Sequence, residues 1–161
     1  MLKDTGIKRN LHSDGEESAE EILDELCSDP EVQKMKQYRQ HGRVTTYEHC
    51  RSVARASERI NRSLHLHADT RTLLTGAMLH DFYLYDWHEA DGGSHDWHGF
   101  IHAGTARQNA VSRLGVKEKV AHVIESHMWP LNLTRIPKSR EAWIVCVADK
   151  YVSLKETLFR R

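Results

Sequence analysis

Apolar residues recur at helical spacing along most of the chain, and no stretch shows convincing strand alternation. Residues 18–26 place Ala19, Ile22, Leu23 and Leu26 on one face of an acidic helix. Pro30 opens the next turn, which runs through Val32, Met35 and Tyr38 to a stop at Gly42. A third helix starts at Thr45 or Thr46 and reaches about residue 64, with Val53, Ala56 and Ile60 sharing the face of His49. Asp69 is a good N-cap for a helix over 69–85. Further helices are predicted over 99–114, 116–128 and 139–158, with Gly115 as a stop. Residues 86–99, rich in Gly, Asp, His and Trp, read as a long loop, and 130–138 as a second one. The expected fold is all-α, a bundle of six or seven helices. A single domain over 16–161 is expected behind a flexible segment 1–15, with its chemistry at about 40–158.

Composition narrows the setting. The 161 residues are 39% apolar, enough for one packed core. No apolar run approaches the roughly 18–20 residues of a membrane span. The first ten residues lack the apolar region of a secretory signal, so a cytoplasmic protein without a membrane partner is expected. Cys27, Cys50 and Cys146 form no CxxC pair, which argues against a disulfide framework or zinc ribbon. Residues 1–31 carry a net charge of −7 and the remainder +7, so the body suits a small anionic ligand. No dense basic run suggests binding of long nucleic acid. A homodimer through the N-terminal helices is compatible with this pattern.

The twelve histidines change the picture. Six polar residues fall on the apolar faces of the expected helices: His49, His80, Asp81, His102, His127 and Asp149. One buried histidine is usually a hydrogen-bonded core residue. A buried carboxylate is harder to dismiss, because without a partner it costs several kcal/mol. Recurrence on helix after helix makes a shared metal the economical explanation. Four imidazoles and two carboxylates without a thiolate suit divalent metal ions: iron or manganese first, with zinc, nickel, cobalt or magnesium as alternatives. Six ligands exceed the need of one catalytic ion, and two ions bridged by a carboxylate account for the surplus.

With these residues in place, the chain resembles the HD superfamily of metal-dependent phosphohydrolases. The resemblance rests on His49 in Tyr-Glu-His-Cys-Arg-Ser-Val-Ala, on His80-Asp81 in Ala-Met-Leu-His-Asp, and on Asp149 in Val-Ala-Asp-Lys. His102 in Ile-His-Ala-Gly and His127 in Ile-Glu-Ser-His-Met match the six-ligand branch. The resemblance implies a first metal on His49, His80, Asp81 and Asp149. Asp81 would bridge to a second metal on His102 and His127. Many members of that branch have two adjacent histidines where this chain has His127-Met128. With one metal only, His102 and His127 would instead contact phosphate or donate protons.

The implied reaction is hydrolysis of a phosphate ester or anhydride, in a nucleotide among other substrates, by water activated on the metals. Asp81, His102, His127 and Lys150 are the expected catalytic residues. Lys150, Arg107 and Arg43 are the expected phosphate contacts, with Trp129 as a stacking surface for a base. His41 is a candidate supporting residue, His88, His95 and His98 loop candidates, and His12, His65, His67 and His122 surface residues. A di-iron oxygenase of the same superfamily shares this ligand order, whereas a third reading, a binding module without catalysis, would predict lost ligands, and none of the six is missing.

Overall fold

The computed structural model describes residues 17–86 and 98–159. The expectations for residues 1–15, for most of the 86–99 loop with His88 and His95, and for the side chains of His41 and His98 lie outside what is described. Seven α-helices are present among those described: α1 (Ala19–Ser28), α2 (Pro30–Gln33), α3 (Thr46–Ser63), α4 (Thr70–Leu79), α5 (His98–Leu114), α6 (Glu118–Ser126) and α7 (Arg140–Phe159). The all-α expectation therefore holds, with one small addition. A short antiparallel hairpin, β1 (Arg39–His41) and β2 (Val44–Thr45), lies between α2 and α3.

Local chemistry fixes the helix starts. Ser18 caps α1, and Thr45 caps α3. In each case the hydroxyl accepts from the backbone N–H three residues on, while Glu21 or Glu48 reaches back to the cap N–H. Asp29 accepts from the N–H groups of Glu31 and Val32, with Pro30 in the first turn of α2. Asp69 caps α4 through the Thr72 N–H at 2.8 Å.

Three boundaries differ from the sequence reading, each for a local reason. The helical path after Pro30 ends at Gln37, well before Gly42. Tyr38 turns extended, its carbonyl accepts from Thr46 N–H at 2.9 Å, and Gly42 supplies a φ of +56° at the hairpin turn. Strands of three and two residues are too short for alternation to register. The helix expected over 69–85 stops at Leu79, and residues 80–83 form tight turns ahead of Leu84, whose φ is +58°. Likewise α6 stops at Ser126, so His127 follows the helix.

Helix α4 is the centre of the packing and touches α1, α3, α5, α6 and α7. Leu73, Leu74 and Ala77 join Val53, Ala54, Val123, Val145 and Val152 in one apolar cluster. Met78, Leu79 and Phe82 join Val32, Met35, Cys50, Ala106 and Ile124 in a second. Each fully buried leucine or methionine of this kind contributes about 1.5–3 kcal/mol. The two clusters meet around the end of α4, where the His80-Asp81 pair emerges.

Gly76 sets how closely α4 and α6 approach. A Cβ there would lie 2.5 Å from Val123 Cγ1 and 2.8 Å from Val123 Cβ, and the branched valine has little freedom to move. Gly76→Ala gains helix propensity but overpacks this contact, and overpacking costs about 1–3 kcal/mol. Urea unfolding is expected to show a net loss of stability, recovered in part by adding Val123→Ala. A stabilised single mutant would refute the close-approach role.

Candidate metal centre

The end of α4 delivers two side chains into the interior. His80 and Asp81 are buried at the junction of the two clusters, with Asp81 only 2% exposed. The turn after them is pinned by Asn109 of α5, whose amide donates to the carbonyls of Phe82 and Tyr83 at 3.0 and 3.1 Å. Helix α3 brings His49, α5 brings His102, the end of α6 brings His127, and α7 brings Asp149. All four are buried. The six residues singled out from the sequence thus converge on one point. Their donor atoms form three overlapping triads: His49–His80–Asp81, His80–His127–Asp149 and Asp81–His102–His127. Within each, the atoms lie within 4.8 Å of one another.

The carboxylate of Asp81 divides the site. Its Oδ2 lies 3.4 Å from His80 Nε2 and 3.8 Å from His49 Nε2. Its Oδ1 lies 3.2 Å from His102 Nε2 and 3.5 Å from His127 Nε2. Asp149 Oδ1 closes the first side, 3.1 Å from His49 Nε2 and 3.5 Å from His80 Nε2. The second side is closed by the 3.1 Å approach of His102 Nε2 to His127 Nε2.

The imidazoles are oriented from behind. His80 Nδ1 and His127 Nδ1 each lie 2.7 Å from a backbone carbonyl, of Ala77 and Ile124 respectively. A carbonyl only accepts, so Nδ1 carries the hydrogen and Nε2 turns inward. His49 Nδ1 is held by Glu156 Oε2 at 2.9 Å. Backing of this kind sets the tautomer and raises ligand basicity in metal sites.

The electrostatics follow from burial and proximity. Burial alone would raise the Asp81 pKa, but His80 and His102 outweigh it and hold the carboxyl well below its usual range. Burial opposes charge on His49, yet the carboxylates of Asp149 and Glu156 raise its pKa to about 10. His127 is lowered to about 3, by burial and then by the charge of His80. The negative field that holds protons on His49 also attracts a divalent cation, which must displace protons to bind. The donor set fits such an ion. His80 Nε2 and Asp81 Oδ1 are buried without a hydrogen-bond partner. Groups of this kind are costly unless something else satisfies them.

The supporting residues were not read from the sequence. Glu156 lies seven residues after Asp149, on the same inner face of α7, and is 4% exposed. That two-turn spacing was the available signal. Gln40 of the hairpin donates to Asp81 Oδ2 at 2.6 Å and accepts from the Tyr83 hydroxyl, which lies 3.2 Å from Thr46 Oγ1. A hairpin this short carries no periodic signal for Gln40.

The expected phosphate contacts fare differently. The Lys150 ammonium has three hydrogens, and three acceptors surround it: the carbonyls of His127 at 2.9 Å and Cys146 at 3.3 Å, and Cys146 Sγ at 3.3 Å. It ties α7 to the turn that carries His127. Arg107 is paired with Glu118 at 3.1 Å and Glu125 at 3.3 Å. Arg43 is exposed at the hairpin turn and has no ion pair among the described residues. The Trp129 indole packs edge-on against Trp143, with ring centroids 5.0 Å apart. His122 is more engaged than a surface residue, since its Nε2 accepts from Lys138 N–H at 3.0 Å.

A helical bundle with buried imidazoles and carboxylates gathered from five segments is the architecture of a metal-binding helical domain. The HD domain family model matches residues 46–154, about two thirds of the chain. The chain belongs to the HD domain family, within a superfamily of metal-dependent phosphohydrolases. No curated protein and no solved structure matched it. No described helix is long and apolar enough to cross a membrane.

Removing a backing partner of a metal-ligating histidine lowers metal affinity about 10–100-fold. Glu156→Gln keeps shape but loses the charge behind His49. Competition with a chromogenic chelator is expected to show weaker Mn or Zn binding of that order, with unchanged helical circular dichroism. Unaltered affinity would reduce Glu156 to a packing residue.

Proposed function

We propose that this protein is a metal-dependent phosphohydrolase acting on a small phosphorylated substrate, an ester or anhydride, with nucleotides the first candidates. The observation that carries the reading is the divided carboxylate of Asp81, one oxygen toward His49 and His80, the other toward His102 and His127. Two cations fit this arrangement. One would be held by His49, His80, Asp81 and Asp149, the other by Asp81, His102 and His127. When bound, such cations lower the pKa of water and neutralise phosphoryl oxygens.

The chain's own groups prepare the site. Gln40 fixes the Asp81 carboxylate through its amide. His80 and His127 keep their Nδ1 hydrogens on carbonyls, so both rings present Nε2 inward. Lys150 holds the carbonyl of His127 and acts as a positioning residue. Arg43 is the remaining candidate for a substrate phosphate. The hairpin that carries it also carries Gln40, which touches Asp81, and its guanidinium is unpaired among the described residues. Trp129, packed on Trp143, is better suited to bracing the His127 turn than to stacking on a base.

The deciding experiment counts metals. Protein purified without chelator or tag is expected to hold about two transition-metal ions per chain by mass spectrometry, largely lost in Asp81→Ala. Loaded with Mn or Fe, it is expected to release phosphate from nucleotides or phosphate esters equally under air and argon. Dioxygen uptake coupled to turnover would replace hydrolysis by oxygenase chemistry. A protein that takes up no metal on reconstitution would sink both. Separately, Arg43→Ala is expected to raise KM for the phosphorylated substrate about tenfold, the scale of one charged hydrogen bond, with little change in kcat.

A further inference from the structure

Helix α7 is apolar on two opposite sides. Its inner side, with Val145, Ala148 and Val152 flanking Asp149 and Glu156, is buried. On the outer side, Trp143, Val147, Tyr151, Leu154 and Leu158 are each 42–61% exposed. They follow one another at steps of four, four, three and four residues. At 3.6 residues per turn these positions fall within an arc of roughly 80° and form a straight stripe about 22 Å long. A surface helix normally turns charged and polar residues to that side. The step pattern is instead that of a helix seam made to pack against another helix.

No charge interrupts the stripe. Lys150 flanks it, but its ammonium is turned back onto the His127 and Cys146 carbonyls. With aromatic side chains at 150–250 Å² each when fully exposed, and each residue 42–61% exposed, the five present roughly 500 Å² of largely apolar surface. Leu131, Leu133 and Ile136, also exposed, add to this on the segment leading into α7. The stripe alone lies near the top of the ~300–600 Å² range of the largest patch on a typical monomer, a size that is often functional, and with these flanking residues it approaches the ~800 Å² per partner of a stable interface.

We propose that this stripe is a self-association surface, on which α7 packs antiparallel against α7 of a second copy of the chain. A two-fold axis close to Tyr151 would set Trp143 opposite the partner's Leu158, and Val147 opposite the partner's Leu154. The bulkiest residue at one end thus meets a smaller one at the other, and the surface is complementary to itself, as an isologous dimer requires. The pairing also reaches the metal centre. Trp143 lies against Trp129, two residues after His127, and Lys150 holds the His127 carbonyl, so a partner on this face braces the turn that presents His127. The inference stands independently of the reaction proposed above.

Sedimentation velocity on the full chain, from about 1 to 100 µM, tests it, across the range in which such interfaces assemble. The expected species is a dimer, twice the 18.6 kDa chain. Val147→Glu and Leu154→Glu are each expected to weaken association at least 100-fold, giving monomers with unchanged helical circular dichroism. Val111→Glu, at an exposed valine of α5 off the stripe, is expected to remain dimeric. Tyr151→Cys is expected to form a disulfide between copies under mild oxidation, and Val111→Cys is not. A wild type that is monomeric throughout overturns the proposal, whether residues 1–16 or another protein then cover the stripe. A dimer that survives both glutamate substitutions overturns it equally, by moving the interface elsewhere.

Discussion

The structure is organised around the burial of one charge. Asp81 lies in the interior, and a carboxylate there costs several kcal/mol unless its oxygens are satisfied. Gln40 supplies one hydrogen bond, four imidazoles surround the two oxygens, and Oδ1 still lacks a hydrogen-bond donor. The way α4 ends makes this arrangement geometrically available. Had the helix continued past Leu79, His80 and Asp81 would point in directions about 100° apart around its axis. The tight turns over 80–83, held by Asn109, instead bring both side chains into one space while Phe82 enters the second apolar cluster. Packing and chemistry therefore depend on the same few residues.

Behind the inner ring stands a set of groups that decides what the ring can hold. His49, His80 and His127 have Nδ1 secured by an acceptor: Glu156, the Ala77 carbonyl and the Ile124 carbonyl. The partners differ in consequence. Two neutral carbonyls hold the Nδ1 hydrogens of His80 and His127, while a charged carboxylate, Glu156, stands behind His49. Glu156 and Asp149 share one face of α7, so a single helix supplies both a direct oxygen and the support for the nitrogen next to it. The two sides of Asp81 are accordingly unequal. The His49 side has a second carboxylate and a charged backing, and it should bind a cation more firmly than the His102–His127 side.

Much of this was legible in the sequence, for identifiable reasons. Caps are local chemistry, so Asp69 and Thr45 marked their helices correctly. The six inward polar residues stood out because they interrupt apolar faces, and that contrast does not depend on tertiary detail. What failed was whatever depended on contacts between distant segments. The hairpin over 39–45 is closed by Tyr38 and Thr46, too few residues to leave a pattern. Gln40 meets Asp81 forty-one positions away, and an isolated glutamine announces nothing. Glu156 carried a signal, its two-turn spacing from Asp149, but a glutamate near a helix end reads first as solvated. Lys150 shows a different non-local effect. Adjacency to a ligand suggested a shared target, whereas neighbouring residues on a helix diverge by 100° and the ammonium found carbonyls instead.

Helix α7 shows how the same rule applies beyond the site. Its inner face carries Ala142, Val145, Ala148 and Val152, and an ordinary amphipathic helix would end there. The outer stripe breaks that pattern as plainly as a buried histidine breaks an apolar face, with hydrophobic residues where water is expected. Both departures run against the local preference for burial, and both need a partner outside the element to be stable. The inner face has the donor groups to hold a cation between the helices. For the outer face, the proposed partner is a second copy of the same surface. Because Asp149, Glu156 and the anchor of His127 all sit on this helix, whatever fixes its outer side also restrains the geometry of the inner one.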